Sequence, residues 1–386
     1  MPVIHVEPAL LRWARERAAL DPADLARRVG LKLGRIEEWE ETGNLEFAHL
    51  ERLAQKTHTP VGYLFLPAPP VEMLPISDFR RPQRGGTPRR PSPELLDTIR
   101  QCQQRQAWYR EYQIAEGAPA LPFVRSATMQ DAPATVAADI RAYLDLDQRP
   151  VSASVTWTDA LGELFGRAEA LGVLVMRNGV VGNNTHRPLD VEEFRGFALS
   201  DPYAPLVFVN AADAKAAQMF TFAHELGHLW LGASAVSDAD PDTPVATERF
   251  CNAVAAEVLV PADAFRTAWN VSGNLAARVA RLSHHFKVSG LVILIRAREA
   301  GLLGSVAFEA AYQGEVEAAR AREERPGSGG GNFYNTQGSR LGDRFAAAVI
   351  TSTLEGGTSY TEAFRLLGFK RSRTFDEYAR SLGVLP

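Results

Sequence analysis

The stretch Thr221-Phe222-Ala223-His224-Glu225-Leu226-Gly227-His228-Leu229-Trp230 constrains the fold more than any other. It lies in a proline-free run from Ala214 to Leu231, with Met219, Phe220, Phe222, Ala223, Leu226, Leu229 and Trp230 along its apolar side. That pattern predicts a buried helix. On a helix, His224 and His228 stand one turn apart on one face. Such a pair can take two corners of a tetrahedral zinc site. Glu225, beside the first histidine, is placed to reach a water molecule on the metal and take its proton as general base. Gly227 leaves room for a neighbouring backbone. The competing expectation is a helix whose two histidines only pack or face solvent, and a carboxylate downstream weighs against it.

That carboxylate belongs to a second expected helix, from Glu248 to a stop at Pro261. Glu248 and Glu257 are both candidates for a third ligand. The spacing from His228 favours Glu248, while Glu257 reads as a structural or partly solvated carboxylate. Asn252, one turn after Glu248, is expected to hold the Glu248 carboxylate in place. Cys251 reads as a small hydrophobe on an alanine-rich helix, with a redox role as the alternative.

The run His224-Glu225-Leu226-Gly227-His228, the strand-like Pro205 to Asn210 before it, and the pattern E-x-x-C-N-x-x-A-A-E-x-L-x-P from Glu248 to Pro261 resemble the ImmA/IrrE metallopeptidases. Further on, Leu282, Phe286, Val288, Ser289 and Arg296 fit the segment that closes that domain. The resemblance covers residues 160–305 well. It implies a zincin-like fold in which His224, His228 and Glu248 hold zinc and Glu225 is catalytic. It also implies cleavage of a transcriptional repressor in a stress or mobile-element response. Manganese or iron can occupy the same ligands.

The chain has 386 residues, a length that suggests two or three domains. Its formal net charge is −4, so any nucleic-acid site must be local. Cys102 and Cys251 lie far apart, which argues against a disulfide framework and for a reducing cytoplasm. The start of the chain lacks the basic and apolar regions of a signal peptide, and no apolar run approaches a membrane span. The expected class is α+β and predominantly helical. Five segments are expected: a helix-turn-helix domain (1–66), a Pro/Arg-rich linker and helical connector (67–150), a zincin-like domain with a small sheet (151–324), a flexible linker (325–331) and a C-terminal helical segment (332–386).

In the first segment, Asp21-Pro22 reads as a helix start and Gly30 as its stop. Ala26-Arg27, Gly30, Ile36, Trp39-Glu40 and Gly43 resemble the Cro/C1-type (XRE) helix-turn-helix family. The resemblance implies that the helix from Lys32 to Glu38 enters the major groove, with Lys32, Gly34 and Arg35 nearest the bases. Glu37, Glu38, Glu40 and Glu41 oppose that role, because a phosphate-binding surface should be basic. A protein-interaction module is the alternative.

After the proline-rich 67–75 come Arg80, Arg81, Arg84, Arg89, Arg90, Arg100, Arg105 and Arg110, interleaved with Trp108, Tyr109 and Tyr112. Such a mixture can bind single strands. An amphipathic helix over 93–116 with core aromatics is the preferred expectation, followed by a helix over 132–146. Next, 158–171 reads as a helix, and 172–177, 194–199 and 206–210 as strands. The edge of their sheet can accept a peptide as an added strand. His186 reads as a surface loop residue. Residues 233–246, with Asp238, Asp240 and Asp242, read as a flexible acidic loop. Two helices are expected in 276–303, with His284 and His285 at the end of the first. Helices are expected over 339–355, 359–367 and 373–382.

The combined expectation is a cytoplasmic zinc endopeptidase with a regulatory helix-turn-helix domain and a protein substrate, a repressor in the first instance. DNA is a second partner through the N-terminal domain, and no membrane is involved. The alternative is a DNA-binding regulator or antitoxin-like protein in which the zinc fold is a sensor or scaffold.

Overall fold

The computed structural model describes residues 3–78, 90–237, 245–270, 273–323 and 333–385. Arg80, Arg81, Arg84, Arg89, the three aspartates of the acidic loop and the 325–331 linker lie outside them. The chain divides into two compact units, Met1–Pro75 with Pro82–Arg100, and Ile76–Arg81 with Gln101–Pro386.

In the first unit β1 (Val3–His5) precedes α1 (Pro8–Arg17), α2 (Pro22–Val29) and α3 (Leu33–Thr42). β2 (Asn44–Glu46) and α4 (Phe47–Lys56) follow, with a short 3-10 turn at Val61–Phe65. Neither short strand was expected; they pair antiparallel, Ile4 opposite Leu45. The Asp21 side chain accepts the Asp24 N–H, satisfying one of the free donors at the start of α2. Gly30 ends α2 in the left-handed region at φ 76°, where glycine meets no Cβ penalty. α3 starts one residue later than expected, with Lys32 as its cap, and runs on to Thr42. Leu10, Trp13, Leu25, Ile36, Trp39 and Leu50 form the core.

In the second unit the order is β3 (Ser77–Asp78), α5 (Pro93–Ala115), α6 (Pro133–Tyr143), α7 (Trp157–Leu171), β4 (Leu174–Asn178), β5 (Val180–Val181) and β6 (Asn184–Pro188). Then come β7 (Gly196–Leu199), β8 (Leu206–Asn210), α8 (Lys215–Leu231), β9 (Ala235–Ser237), α9 (Ala246–Leu259), α10 (Ala262–Trp269) and α11 (Leu275–Phe286). α12 (Gly290–Glu299), α13 (Ser305–Glu323), α14 (Phe333–Leu341), α15 (Asp343–Leu354), α16 (Tyr360–Leu367) and α17 (Ser372–Ser381) complete the chain. α5 begins among residues of the first unit. The fold is predominantly helical with a small mixed sheet.

The sheet order is β3-β9-β7-β8-β4. β4 and β8 run parallel, with Val175 opposite Val207. β7 is antiparallel to both β8 and β9. β7 and β8 are buried at every residue, which explains why they read as unbroken apolar runs rather than alternations. One face of the sheet carries α8. β9 corrects the flexible-loop expectation for 235–237: these residues are a buried strand. The outer side of β9 is covered by β3, parallel, with Ser77 opposite Ala235.

His186 lies exposed on β6 rather than in a loop. The single helix expected over 339–355 is two, α14 and α15, broken at Gly342. Gly342 adopts φ 76°, and a Cβ there would sit 2.4 Å from Glu169 Oε1 and 2.6 Å from the Val175 carbonyl. The aromatics of α5 turn inward. Trp108 stacks on Tyr112 and meets Phe345 edge-on, while the Tyr109 hydroxyl accepts from Arg344 Nε at 2.7 Å. Arg110 pairs with Asp201 at 3.0 Å. These contacts pack the α5 aromatics within the fold.

Candidate metal centre

α8 buries every residue from Thr221 to Trp230, so its polar groups must be satisfied inside the protein. Its far end is anchored: Trp230 Nε1 donates to Asp139 Oδ2 at 2.7 Å, and the indole stacks on Phe123. Gly232 closes the helix in the left-handed region. α9 packs directly against α8. Gly227 makes this possible, since a Cβ there would lie 3.3 Å from Cys251 Sγ. The room left by Gly227 is filled by α9.

This close packing brings three side chains to one point. His224, His228 and Glu248, all fully buried, place one ligand atom each within 4.8 Å of the others. The edges are 3.1 Å between the two Nε2 atoms, 2.9 Å from His228 Nε2 to Glu248 Oε1, and 3.3 Å from His224 Nε2 to Glu248 Oε2. A tetrahedral zinc with ligands at about 2.0–2.1 Å needs donor–donor edges of about 3.3–3.4 Å. The set therefore fits zinc after a few tenths of an ångström of expansion, and two imidazoles with one carboxylate are zinc's usual donors. His224 Nδ1 lies 2.8 Å from Asn252 Oδ1, which places the ring proton on Nδ1 and leaves the Nε2 lone pair for a metal. Asn252, expected beside the Glu248 carboxylate, meets the ring of His224.

Electrostatics follow from burial. For Glu248 burial opposes charge, but hydrogen bonds and attraction from His224 and His228 outweigh it and hold the carboxyl at about 2. Burial also opposes charge on both histidines; contact with Glu248 nevertheless raises His224, while His228 stays below the usual histidine value. The cluster thus keeps a carboxylate anion facing two imidazoles.

Glu225 is fully buried, and neither carboxylate oxygen has a hydrogen-bond partner of normal geometry among the described residues. Burial pushes its carboxyl up to about 8, against the pull of His224; Glu248 adds to the rise and Ser237 opposes it. Gly196 on β7 lets the sheet approach this point. A Cβ there would lie 3.1 Å from Glu225 Oε1 and 2.6 Å from Thr221 Cγ2. Ser237 on β9 places its hydroxyl 3.4 Å from His228 Nε2. Neither Gly196 nor Ser237 was singled out in the sequence: both are brought in by the sheet, and no local spacing marks them.

Glu257 sits elsewhere. It pairs with Arg296 at 2.6 Å and accepts the Ala262 N–H at the start of α10, a structural role. His284 and His285 lie exposed in the last turn of α11. Both cysteines are free and buried; burial raises Cys251 far above its ordinary value and Cys102 to about 12, so both remain neutral thiols. In the first unit, Lys32, Gly34 and Arg35 share an exposed surface at the start of α3, beside exposed Glu37 and Glu38. Arg35 pairs with Glu38 at 2.7 Å.

Residues 168–298 match the Peptidase_M78 family model, the IrrE N-terminal-like domain. The Peptidase_M78 match contains α8, α9 and all three clustered ligand residues, and it supports the resemblance to the ImmA/IrrE metallopeptidases. Residues 341–381 match a domain of unknown function (DUF8813). No curated protein and no solved structure matches the chain. No described helix is long and apolar enough to cross a membrane.

Proposed function

We propose that this chain is a zinc-dependent endopeptidase, with His224, His228 and Glu248 as metal ligands and Glu225 as the general base. The convergence of three buried donors from α8 and α9, a few tenths of an ångström short of tetrahedral edge lengths, carries this reading. Zinc bound there supplies Lewis acidity and brings water's pKa towards neutrality. Glu225 takes a proton from the attacking water at its carboxylate and later delivers one to the leaving amine. Burial alone raises the Glu225 carboxyl, and a zinc ion held by the neighbouring ligands would draw it back towards the ionised form that the first step needs. Asn252 holds the His224 ring. A substrate peptide adding to the sheet beside His228 extends or replaces the two-residue β3.

In this reading the first domain (1–66) is an XRE-like helix-turn-helix that meets DNA through Lys32, Gly34 and Arg35. The connector (67–150) leads to the zincin-like domain (151–324), and the linker (325–331) to the C-terminal segment (332–386). The substrate is a transcriptional repressor or related regulator in the cytoplasm. Arg35 must exchange Glu38 for phosphate, so DNA binding should fall steeply with salt.

The test is elemental metal analysis of wild type, Glu248→Ala and Glu257→Ala, joined to peptide hydrolysis by wild type and Glu225→Gln. One zinc per chain, lost only in Glu248→Ala, with hydrolysis lost in Glu225→Gln, is the expected result. A wild-type protein that takes up no zinc on loading refutes the reading. Zinc uptake with activity unchanged in Glu225→Gln would favour a sensor or scaffold instead.

A further inference from the structure

A cavity of about 300 Å³ opens within the second unit, among α5, the β4–β6 turn, α14 and α16. Arg105, Arg340 and Arg365 line it, and no carboxylate does among the described residues. This composition is unusual, because desolvated charges are normally paired. Arg105 spends Nε on the Leu366 carbonyl at 3.0 Å and touches Met176 Sδ through Nη1. Arg340 donates Nη1 to Asn183 Oδ1 at 2.8 Å. Neither has an ion-pair partner among the described residues. Burial lowers the pKa of both, as expected for cations without a counter-charge. Arg365 reaches Glu362 only at 3.4 Å, at the exposed rim.

The remaining lining is polar and can both donate and accept. Gln101, Gln104, Asn178 and Asn183 supply amides. Gln337 is 1% exposed and gives its Nε2 hydrogen to the Leu367 carbonyl, yet its Oε1 has no hydrogen-bond partner among the described residues. A buried acceptor left open beside three cations calls for a ligand that carries donors as well as negative charge. Three guanidiniums from three helices match a phosphomonoester, with about −1.5 to −2 charge, better than a single carboxylate. The volume suits a sugar phosphate or mononucleotide.

We infer that this cavity is a binding site for a phosphorylated small molecule bearing hydroxyl or amino donors, held by Arg105, Arg340 and Arg365 and read by the surrounding amides. It is separate from the cluster of His224, His228 and Glu248. It is linked to the metal helix through the backbone, because the Asn178 carbonyl accepts the Ala211 N–H at 3.0 Å in the loop that leads into α8.

The experiment is isothermal titration of the full chain in phosphate-free buffer with ribose 5-phosphate, AMP and inorganic phosphate, and with ribose and adenosine as uncharged controls. Ribose 5-phosphate or AMP is expected to bind, the controls not. Arg365→Ala, at the exposed rim, and Arg340→Gln are each expected to weaken binding at least tenfold while the unliganded melting temperature and zinc content stay at wild-type values. If Arg340→Gln melts early, Arg365→Ala alone carries the comparison. Absence of binding by all three phosphates at millimolar concentration overturns the inference. So does binding of equal strength in wild type and Arg365→Ala, which would place the ligand elsewhere.

Discussion

Replacing Gly196 by alanine tests how the sheet is fitted to the metal helix. In an ordinary strand this change stabilises, because alanine loses less backbone entropy than glycine, by about 0.5–1 kcal/mol. Here the new Cβ would stand 2.6 Å from Thr221 Cγ2, 2.9 Å from the Phe208 carbonyl oxygen and 3.1 Å from Glu225 Oε1. The Phe208 oxygen belongs to β8, which is paired on both sides, so it has little freedom to retreat. α8 must yield instead. Overpacking of this kind costs about 1–3 kcal/mol, which outweighs the entropic gain and leaves a net loss of about 1–2 kcal/mol. Urea unfolding of Gly196→Ala should therefore show a lower midpoint at unchanged slope. The double variant Gly196→Ala/Thr221→Ser removes the closest methyl and should recover about half of the loss. Hydrolysis should fall more than stability explains, because the third contact is the Glu225 carboxylate. A Gly196→Ala protein as stable as wild type, or more so, would refute this account of the packing.

Other outcomes follow from the same geometry. Asn252→Ala should keep all three ligand residues yet weaken zinc affinity about 10–100-fold, measured by competition with a chelator. Glu225→Gln should retain stoichiometric zinc while kcat falls about 10²–10⁴-fold in a peptide assay. Glu169, raised by burial and by Asp343 from 4.5 to about 7, should make stability depend on pH. A carboxyl raised in the folded state contributes its full stability below pH 4.5 and loses it as pH climbs through about 7. The native state holds the extra proton across that window, so the loss amounts to at most about 3 kcal/mol. Glu169→Gln should flatten this part of the pH profile in urea titrations, and an unchanged profile would sink the assignment.

What the sequence disclosed depended on the range of the interaction. α8 and α9 were legible because their apolar spacing, the proline stop and the four-residue histidine interval are local. β4, β7 and β8 were legible as apolar runs, to within a residue or two at their starts. β9 was not: three residues carry no period, and the aspartates that follow it make the stretch look like a loop. β3 escaped for the same reason, being two residues that become a strand only by pairing with β9. α10 and α13 were missed as separate elements, lying between segments with stronger signals. The break at Gly342 was hidden because glycine inside a helical pattern is tolerated, and only the approach of Glu169 and Val175 makes it necessary. Within the site, His224, His228 and Glu248 were readable from spacing, whereas Ser237 and Gly196 come from other strands and leave no mark nearby.

The two stretches matched by family models, 168–298 and 341–381, are separate in sequence but share their interior with α5. Trp108 spans the gap to Phe345, Tyr109 receives Arg344, and Arg105 grips the Leu366 carbonyl. The boundary of heredity is therefore not the boundary of folding. A truncation ending at 323 would strip aromatic surface and leave a guanidinium stranded, producing a protein prone to aggregate although its ligand residues are intact. The C-terminal segment is a part that the second unit cannot shed without losing solubility.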